Sequence, residues 1–233
     1  MMIALPNFNG SFTCTLFLNH SARADEPSFE QLTDENSLLE FVNREFPDAV
    51  PLMPTLVEDF FLNPTGNLGT VKCFPWNIGG KALLLGDSAH AVVPFYGQGM
   101  NCAFEDVRVL DQLIEKYGHD WEAIYEEYGC LRKPNTDAIA DMAEENFYEM
   151  RDAVADPVFI RKRELETRLE QTFPDYFSKY SMVTFREDLP YTVAMKRGNA
   201  QDRLLMEICS EVENVNSIDP NDVHTRIKQL KNQ

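Results

Sequence analysis

Residues 82–101, ALLLGDSAHAVVPFYGQGMN, join an apolar run to an acidic residue, a glycine-rich loop and the start of an amphipathic helix. A short apolar run is typical of a buried strand, and Asp87 follows this one directly after Gly86. The amides of a loop and of a helix N-terminus, beside a carboxylate, are suited to an anionic or polar cofactor. The chain contains no Gly-x-Gly-x-x-Gly sequence, so the segment differs from the usual dinucleotide-binding fingerprint.

The composition predicts a folded protein in a reducing compartment. Of the 233 residues, 44% are hydrophobic, and the formal net charge of -17 opposes binding to nucleic acid. The five cysteines form no Cys-x-x-Cys pair, and the four histidines show no metal-ligand spacing, so we expect free thiols and no metal site. Because no apolar run approaches the roughly 20 residues of a membrane span and no signal peptide is evident, we expect a cytoplasmic protein without membrane contact.

The loop itself contains candidate cofactor-binding residues. Asp87 could accept hydrogen bonds from sugar-type hydroxyls, although an acidic residue after a strand is often only a turn or cap residue. Gly97 and Gly99 would let the backbone approach a planar ligand closely. Met100 and Asn101 would present amides at a helix start, where they can stabilise negative charge, although an ordinary capped helix has the same pattern.

Other residues of the loop have two possible roles. His90 could act as an acid or base, but its alanine neighbours favour a packed, hydrogen-bonded structural histidine. Pro94, Phe95 and Tyr96 could line an aromatic substrate pocket or belong to the core.

Two residues downstream of the loop are candidates for ligand contact. Asn146 lies on the apolar stripe of a predicted helix, at helical offsets from Ile139 and Met142. A buried amide without partners costs about 1–3 kcal/mol, so protein, water or ligand must bind it. Tyr180 precedes the strand-like residues 182–185, and its alternative role is that of a core tyrosine with a satisfied hydroxyl.

The order of elements predicts an α+β fold. Strands at residues 2–5 and 11–18 and strand-like runs within 56–76 flank a short helix at 34–46, and helices follow Asn101. Pro134 should kink or end one of these helices. We divide the chain into a partial substrate-domain sheet (1–76), a piece of a cofactor domain (77–118) and a helical C-terminal region (119–233). Two strands are marginal alone, so we expect sheet partners outside the chain.

The glycine-rich segment also resembles a known motif. Residues 86–90 and 94–101 resemble the second FAD-binding motif of the aromatic hydroxylases of the para-hydroxybenzoate hydroxylase class. Within that class, the chain is similar to the kynurenine 3-monooxygenase family up to about Phe185. The further matching segments are residues 1–7, 12–17, 46–49, 149–151 and 182–185.

The resemblance implies a fragment of a FAD/NAD(P)-binding flavin monooxygenase fold with no separate catalytic side chain in this portion. It implies cofactor contact for Asp87, Met100 and Asn101, and contact with the amino-acid end of kynurenine for Asn146 and Tyr180. Together with the candidates from the residues themselves, the predicted cofactor set is Asp87, Pro94, Gly97, Gly99, Met100 and Asn101, and the predicted substrate set is Asn146, Tyr180, Phe95 and Tyr96. Asp87 would contact the ribityl or pyrophosphate region of FAD, and Met100 and Asn101 would lie against its ring. The implied reaction uses NADPH and O2 to hydroxylate L-kynurenine to 3-hydroxykynurenine, a step of tryptophan degradation and NAD biosynthesis.

Several features of the family have no counterpart in the chain. They are the N-terminal strand with its glycine-rich turn, the central Asp-Gly motif, and the Arg and Tyr that bind the substrate carboxylate. We therefore expect the C-terminal portion of such an enzyme, inactive alone and dependent on the missing N-terminal half for FAD. The alternatives are a flavin monooxygenase for another aromatic substrate and a non-catalytic remnant that acts only through partners.

Overall fold

The computed structural model describes residues 1–22 and 26–230, and the chain packs as two compact units, Met1–Asn67 and Leu68–Gln233. In the first unit, strands β1 (Met2–Pro6) and β2 (Phe12–Leu16) form an antiparallel hairpin with Met2 opposite Leu16. The turn between them closes through a hydrogen bond from Gly10 N to Asn7 O, and Gly10 has a φ of 82°. The predicted pair of strands is confirmed, although the second strand ends at Leu16.

A small helical core completes the first unit. Helix α1 (Glu35–Glu45), predicted at 34–46, begins where the Asp34 carboxylate accepts from Ser37 N at 2.9 Å and so caps the helix. The prediction of strand-like runs from residue 56 onward is wrong, because helix α2 (Leu56–Leu62) occupies this position and no strand follows it before Asn77. Val57 and Phe60 are three residues apart and pack on the α1 core, a spacing that a helix satisfies.

The second unit is predominantly helical. A two-residue hairpin, β3 (Asn77–Ile78) with β4 (Ala82–Leu83), precedes seven helices within the described residues. These are α3 (Asp87–His90), α4 (Gly99–Tyr117), α5 (Trp121–Asp152), α6 (Pro157–Thr172), α7 (Lys179–Phe185), α8 (Tyr191–Ser210) and α9 (Pro220–Leu230). Small antiparallel sheets with a helical C-terminal region confirm the α+β prediction.

Two local predictions in this unit differ from the structure, the first in part and the second entirely. Of the kink or end predicted at Pro134, the end does not occur: helix α5 continues through the proline, because apolar side chains on both sides of it, such as Tyr128 and Ile139, are fully buried and hold the helix in place. Residues 182–185, which we predicted as strand-like, lie in helix α7. Its buried positions 179, 182 and 183 follow a helical period, and Ser178 caps its start by accepting from Ser181 N.

Helix α5 joins two of the hydrophobic clusters of the second unit. Its first half packs in a cluster with Trp76 and Leu113, and its second half packs with Tyr96 and Met182. Helices α6, α8 and α9 build a third cluster. Packing places residues 68–76 in the second unit, while the functional division into residues 1–76, 77–118 and 119–233 stays a prediction. None of the helices in the described ranges has the length and apolarity that a membrane span requires.

Candidate functional site

The first half of the glycine-rich loop makes a sharp bend before Asp87. Gly86 has a φ of 58° and a ψ of -140°, a conformation that L-residues with a side chain rarely adopt. A Cβ at Gly86 would also lie 3.3 Å from the Cβ of Ala103. Asp87 begins helix α3 with an exposed side chain, while Ala89 and His90 are buried. The bend therefore presents the Asp87 carboxylate to solvent at the end of β4.

The second half of the loop ends at the N-terminus of a long helix. Residues Pro94–Tyr96 form one helical turn, Gly97 follows with a φ of 65°, and the 19-residue helix α4 begins at Gly99. A Cβ at Gly97 would meet no atom within 4 Å, so the space next to this backbone is open. The amides of the first helical turn lack intrahelical partners and bear partial positive charge. Met100 is 69% exposed beside them.

These features fit the cofactor that the resemblance implies. The hydroxyls of FAD can donate to a carboxylate, and its phosphates can accept from free amides. Its planar ring can pack on exposed backbone. The exposed Asp87, the open space at Gly97 and the amides at the start of α4 supply those three kinds of contact. Pro94, Gly97 and Asn101 are also exposed, the first two in the segment before α4 and the third in its first turn. The assignment of these residues to FAD stays a prediction.

Three of the four predicted substrate residues line one cavity of about 170 Å³. Tyr96 contributes from the loop, Asn146 from α5 and Tyr180 from α7. The rings of Tyr96 and Tyr180 are stacked, with centroids 5.7 Å apart. The structure thus brings together residues that lie up to 84 positions apart in the chain.

The fourth residue, Phe95, acts beside the cavity. Its carbonyl oxygen accepts a hydrogen bond from Asn146 Nδ2 at 2.7 Å, and its ring packs on Phe147 at 4.8 Å. Asn146 lies on an apolar stripe and therefore needs hydrogen-bond partners. The backbone carbonyl of Phe95 in the glycine-rich loop is one of them. This contact ties the loop directly to the cavity.

Sequence reasoning missed a charged wall of the cavity. Lys162 of α6 and Lys179 of α7 are buried, and their Nζ atoms lie 2.7 and 3.0 Å from the carboxylate of Asp202 on α8. Lys179 also lies 3.3 Å from Glu149. Burial lowers the pKa of Lys179, but the carboxylates of Asp202 and Glu149 raise it more, so its net shift is upward and the ammonium stays charged. In the sequence, the charged wall is indicated only by Lys179, which directly precedes the predicted substrate residue Tyr180.

His90 is a packed, hydrogen-bonded histidine, as we predicted. It is 3% exposed, and its Nε2 lies 2.5 Å from Oδ2 of Asp106, a partner on α4 that the sequence did not reveal. Burial is the main reason that the pKa of the neighbouring Cys102 thiol rises to about 12. The ligand atoms of these three side chains lie within 4.8 Å of one another, but Arg132 also binds the Asp106 carboxylate. We therefore interpret the cluster as a hydrogen-bond network.

Comparison with known proteins gives a consistent result. Residues 69–143 match the FAD binding domain family. A kynurenine 3-monooxygenase of Flavobacterium johnsoniae is 46% identical over 219 residues, which cover 94% of this chain and 48% of that protein. The corresponding enzyme of Myxococcus xanthus is 48% identical over 94% of this chain and 46% of its own length. That of Dictyostelium discoideum is 47% identical over 89% of this chain and 47% of its own length. The chain spans about half the length of the curated relatives it matches.

Proposed function

Because this chain belongs to the kynurenine 3-monooxygenase family, we propose that it forms the substrate-cavity portion of an FAD-dependent enzyme that hydroxylates L-kynurenine with NADPH and O2. One structural observation supports the proposal independently of sequence similarity. The loop assigned to FAD is joined to the residues assigned to kynurenine through the hydrogen bond of Asn146 with Phe95 and the stacking of Tyr96 on Tyr180. The loop proposed for the cofactor and the cavity proposed for the substrate are therefore in direct contact, which supports the proposal.

The residues of the chain have separate tasks in this proposal. Asp87 and the first amides of α4 hold FAD, which supplies the redox and oxygen chemistry when bound. Tyr96 and Tyr180 provide aromatic surface for the substrate ring, and Asn146 orients its amino-acid end. The hydrogen bond that Asn146 donates to Phe95 leaves its Oδ1 as an acceptor for the substrate ammonium. Apolar neighbours of the cavity, such as Met150 and Phe159, limit the access of water.

The decisive experiment uses an enzyme of full family length that contains this chain. NADPH oxidation is measured with and without L-kynurenine, and the product is identified by mass. We expect kynurenine-dependent oxidation with formation of 3-hydroxykynurenine. Bound FAD without a response to kynurenine would indicate another aromatic substrate, and absence of bound FAD would overturn the proposal in favour of a non-catalytic role. The cytoplasmic location stays a prediction.

Replacing Asn146 with alanine tests its proposed role. We expect about tenfold weaker binding of L-kynurenine, because a hydrogen bond to its charged group is lost. We expect a smaller loss of FAD affinity, below about threefold, because the FAD loop loses only the contact of Asn146 with Phe95 and keeps the stacking of Tyr96 on Tyr180. Titration of the oxidised holoenzyme with L-kynurenine, followed by flavin fluorescence, measures the first quantity. Asn221→Ala, at an exposed position of α9, is the matched control and should change neither affinity. Equal losses for both ligands, or no loss at all, would contradict the assignment.

A further inference from the structure

The bend before Asp87 needs support from outside the loop. Gly86 is buried and has a positive φ, so its amide cannot rely on water for a hydrogen bond. Its N–H instead donates to Oδ2 of Asp106 at 3.1 Å. The same oxygen lies 2.5 Å from His90 Nε2. One carboxylate thus holds the residue before Asp87 and the residue three positions after it.

Asp106 is itself held in place. It is fully buried on α4, and its second oxygen, Oδ1, accepts from Arg132 Nε of α5 at 2.6 Å. Arg132 is 2% exposed, donates to the carbonyl of Cys102 at 3.2 Å and pairs with Glu105 at 2.6 Å. These contacts connect the short helix α3 to two long helices. The position of Asp87 is therefore coupled to the packing of α4 against α5.

We propose that Asp106 is a positioning residue for the cofactor: by holding Gly86 and His90 it sets the orientation in which Asp87 meets FAD. The inference rests on the proposed function, and it assigns a role to a residue that lies behind the loop and touches no ligand. Asp87 is exposed in a four-residue helix that has too few turns to hold its own orientation. Because Asp106 accepts hydrogen bonds from Gly86 and His90, it holds both ends of this short helix in one orientation, which the helix alone cannot do.

The role requires an ionised carboxylate. Burial raises the pKa of Asp106, but hydrogen bonds and charges from His90 and Arg132 outweigh burial and lower it below its ordinary value. A carboxylate accepts at both oxygens, so it can serve Gly86, His90 and Arg132 together. An asparagine has one acceptor oxygen, and its NH2 group would face a donor. Asp106→Asn therefore removes part of the anchor while keeping the size of the side chain.

The test compares Asp106→Asn with Asp111→Asn in an enzyme of full family length. Asp111 is exposed on the same helix and is the matched control. We expect the FAD dissociation constant, measured by fluorescence after flavin removal, to rise at least about tenfold in Asp106→Asn and to stay unchanged in Asp111→Asn. Hydrogen exchange at the amides of residues 86–90 should become faster in Asp106→Asn only. Wild-type FAD affinity in Asp106→Asn would overturn the inference.

A second set of variants separates positioning from general stability. Leu165→Ala destabilises the core of the C-terminal helices, away from the loop, and should leave FAD affinity unchanged although its melting temperature falls. His90→Gln keeps a donor toward Asp106 and should retain most FAD affinity, whereas His90→Leu should lose it. If Leu165→Ala lost FAD as strongly as the Asp106 and His90 variants, the role would be structural and the inference would fail. If the wild-type enzyme bound no FAD, the proposed function itself would fail.

Discussion

Replacing Arg132 with methionine is expected to lower the free energy of unfolding by about 3–5 kcal/mol, the range for removing one partner of a buried ion pair. The Arg132 guanidinium donates to Asp106 and Cys102 and pairs with Glu105. Methionine fills similar volume but leaves the Asp106 carboxylate buried without its cation. His90 and Gly86 still contact that carboxylate, but neither replaces a fixed positive charge.

Urea denaturation of the 233-residue chain, followed by circular dichroism, measures this loss. Arg108→Met is the matched control, because Arg108 lies on α4 at the surface and also pairs with Glu105, at 3.2 Å. An exposed ion pair contributes at most about 1 kcal/mol, so the control should unfold almost like the wild type. Equal midpoints for the two variants would show that the buried pair does not determine stability. Arg132→Lys should recover only part of the loss, since lysine lacks the forked donors of arginine.

Replacing Gly198 with alanine is expected to lower the free energy of unfolding by about 1–3 kcal/mol, although alanine is the better helix former. Gly198 lies in α8, and a Cβ there would be 2.4 Å from Cγ and 2.6 Å from Cβ of Lys179. These atoms are at the base of the lysine side chain and cannot swing aside, because its Nζ is held by Asp202 and Glu149. The clash therefore shifts α7 against α8 and changes the cavity wall.

Gly129→Ala in α5 is the control for this substitution. Its added Cβ would meet the ring of Phe74 at 3.2 Å, but that ring is 56% exposed and can move. We expect little loss or a small gain in Gly129→Ala, measured by the same denaturation. In a Lys179→Gly background, which lacks all three side-chain atoms of Lys179 that lie within 3.0 Å of the added Cβ, Gly198→Ala should lower the free energy of unfolding by less. An unchanged cost in that background would show that Lys179 is not the cause.

The local features of the chain follow from short-range chemistry and can be predicted from neighbouring residues. A carboxylate before a helix satisfies free amides, and glycine permits a positive φ, so Asp34 and Asp120 cap the starts of α1 and α5, and Gly118 ends α4. The glycine-rich motif likewise indicated the loop and its cofactor class. Such signals depend on neighbours within about four residues and need no knowledge of the fold.

The features that the sequence did not predict depend instead on contacts between residues distant in the chain. Residues 182–185 have strand-like composition, yet burial at a helical period places them in α7. Helix α5 passes through Pro134 because the residues on both sides of the proline are buried. The partners of Asp106 and of Lys179 come from other helices, tens of residues away. The sequence alone therefore predicted a cofactor role for the loop and the candidate substrate residues, both of which stay predictions. Tertiary packing decided which charges are buried together, because that depends on contacts between helices distant in the chain.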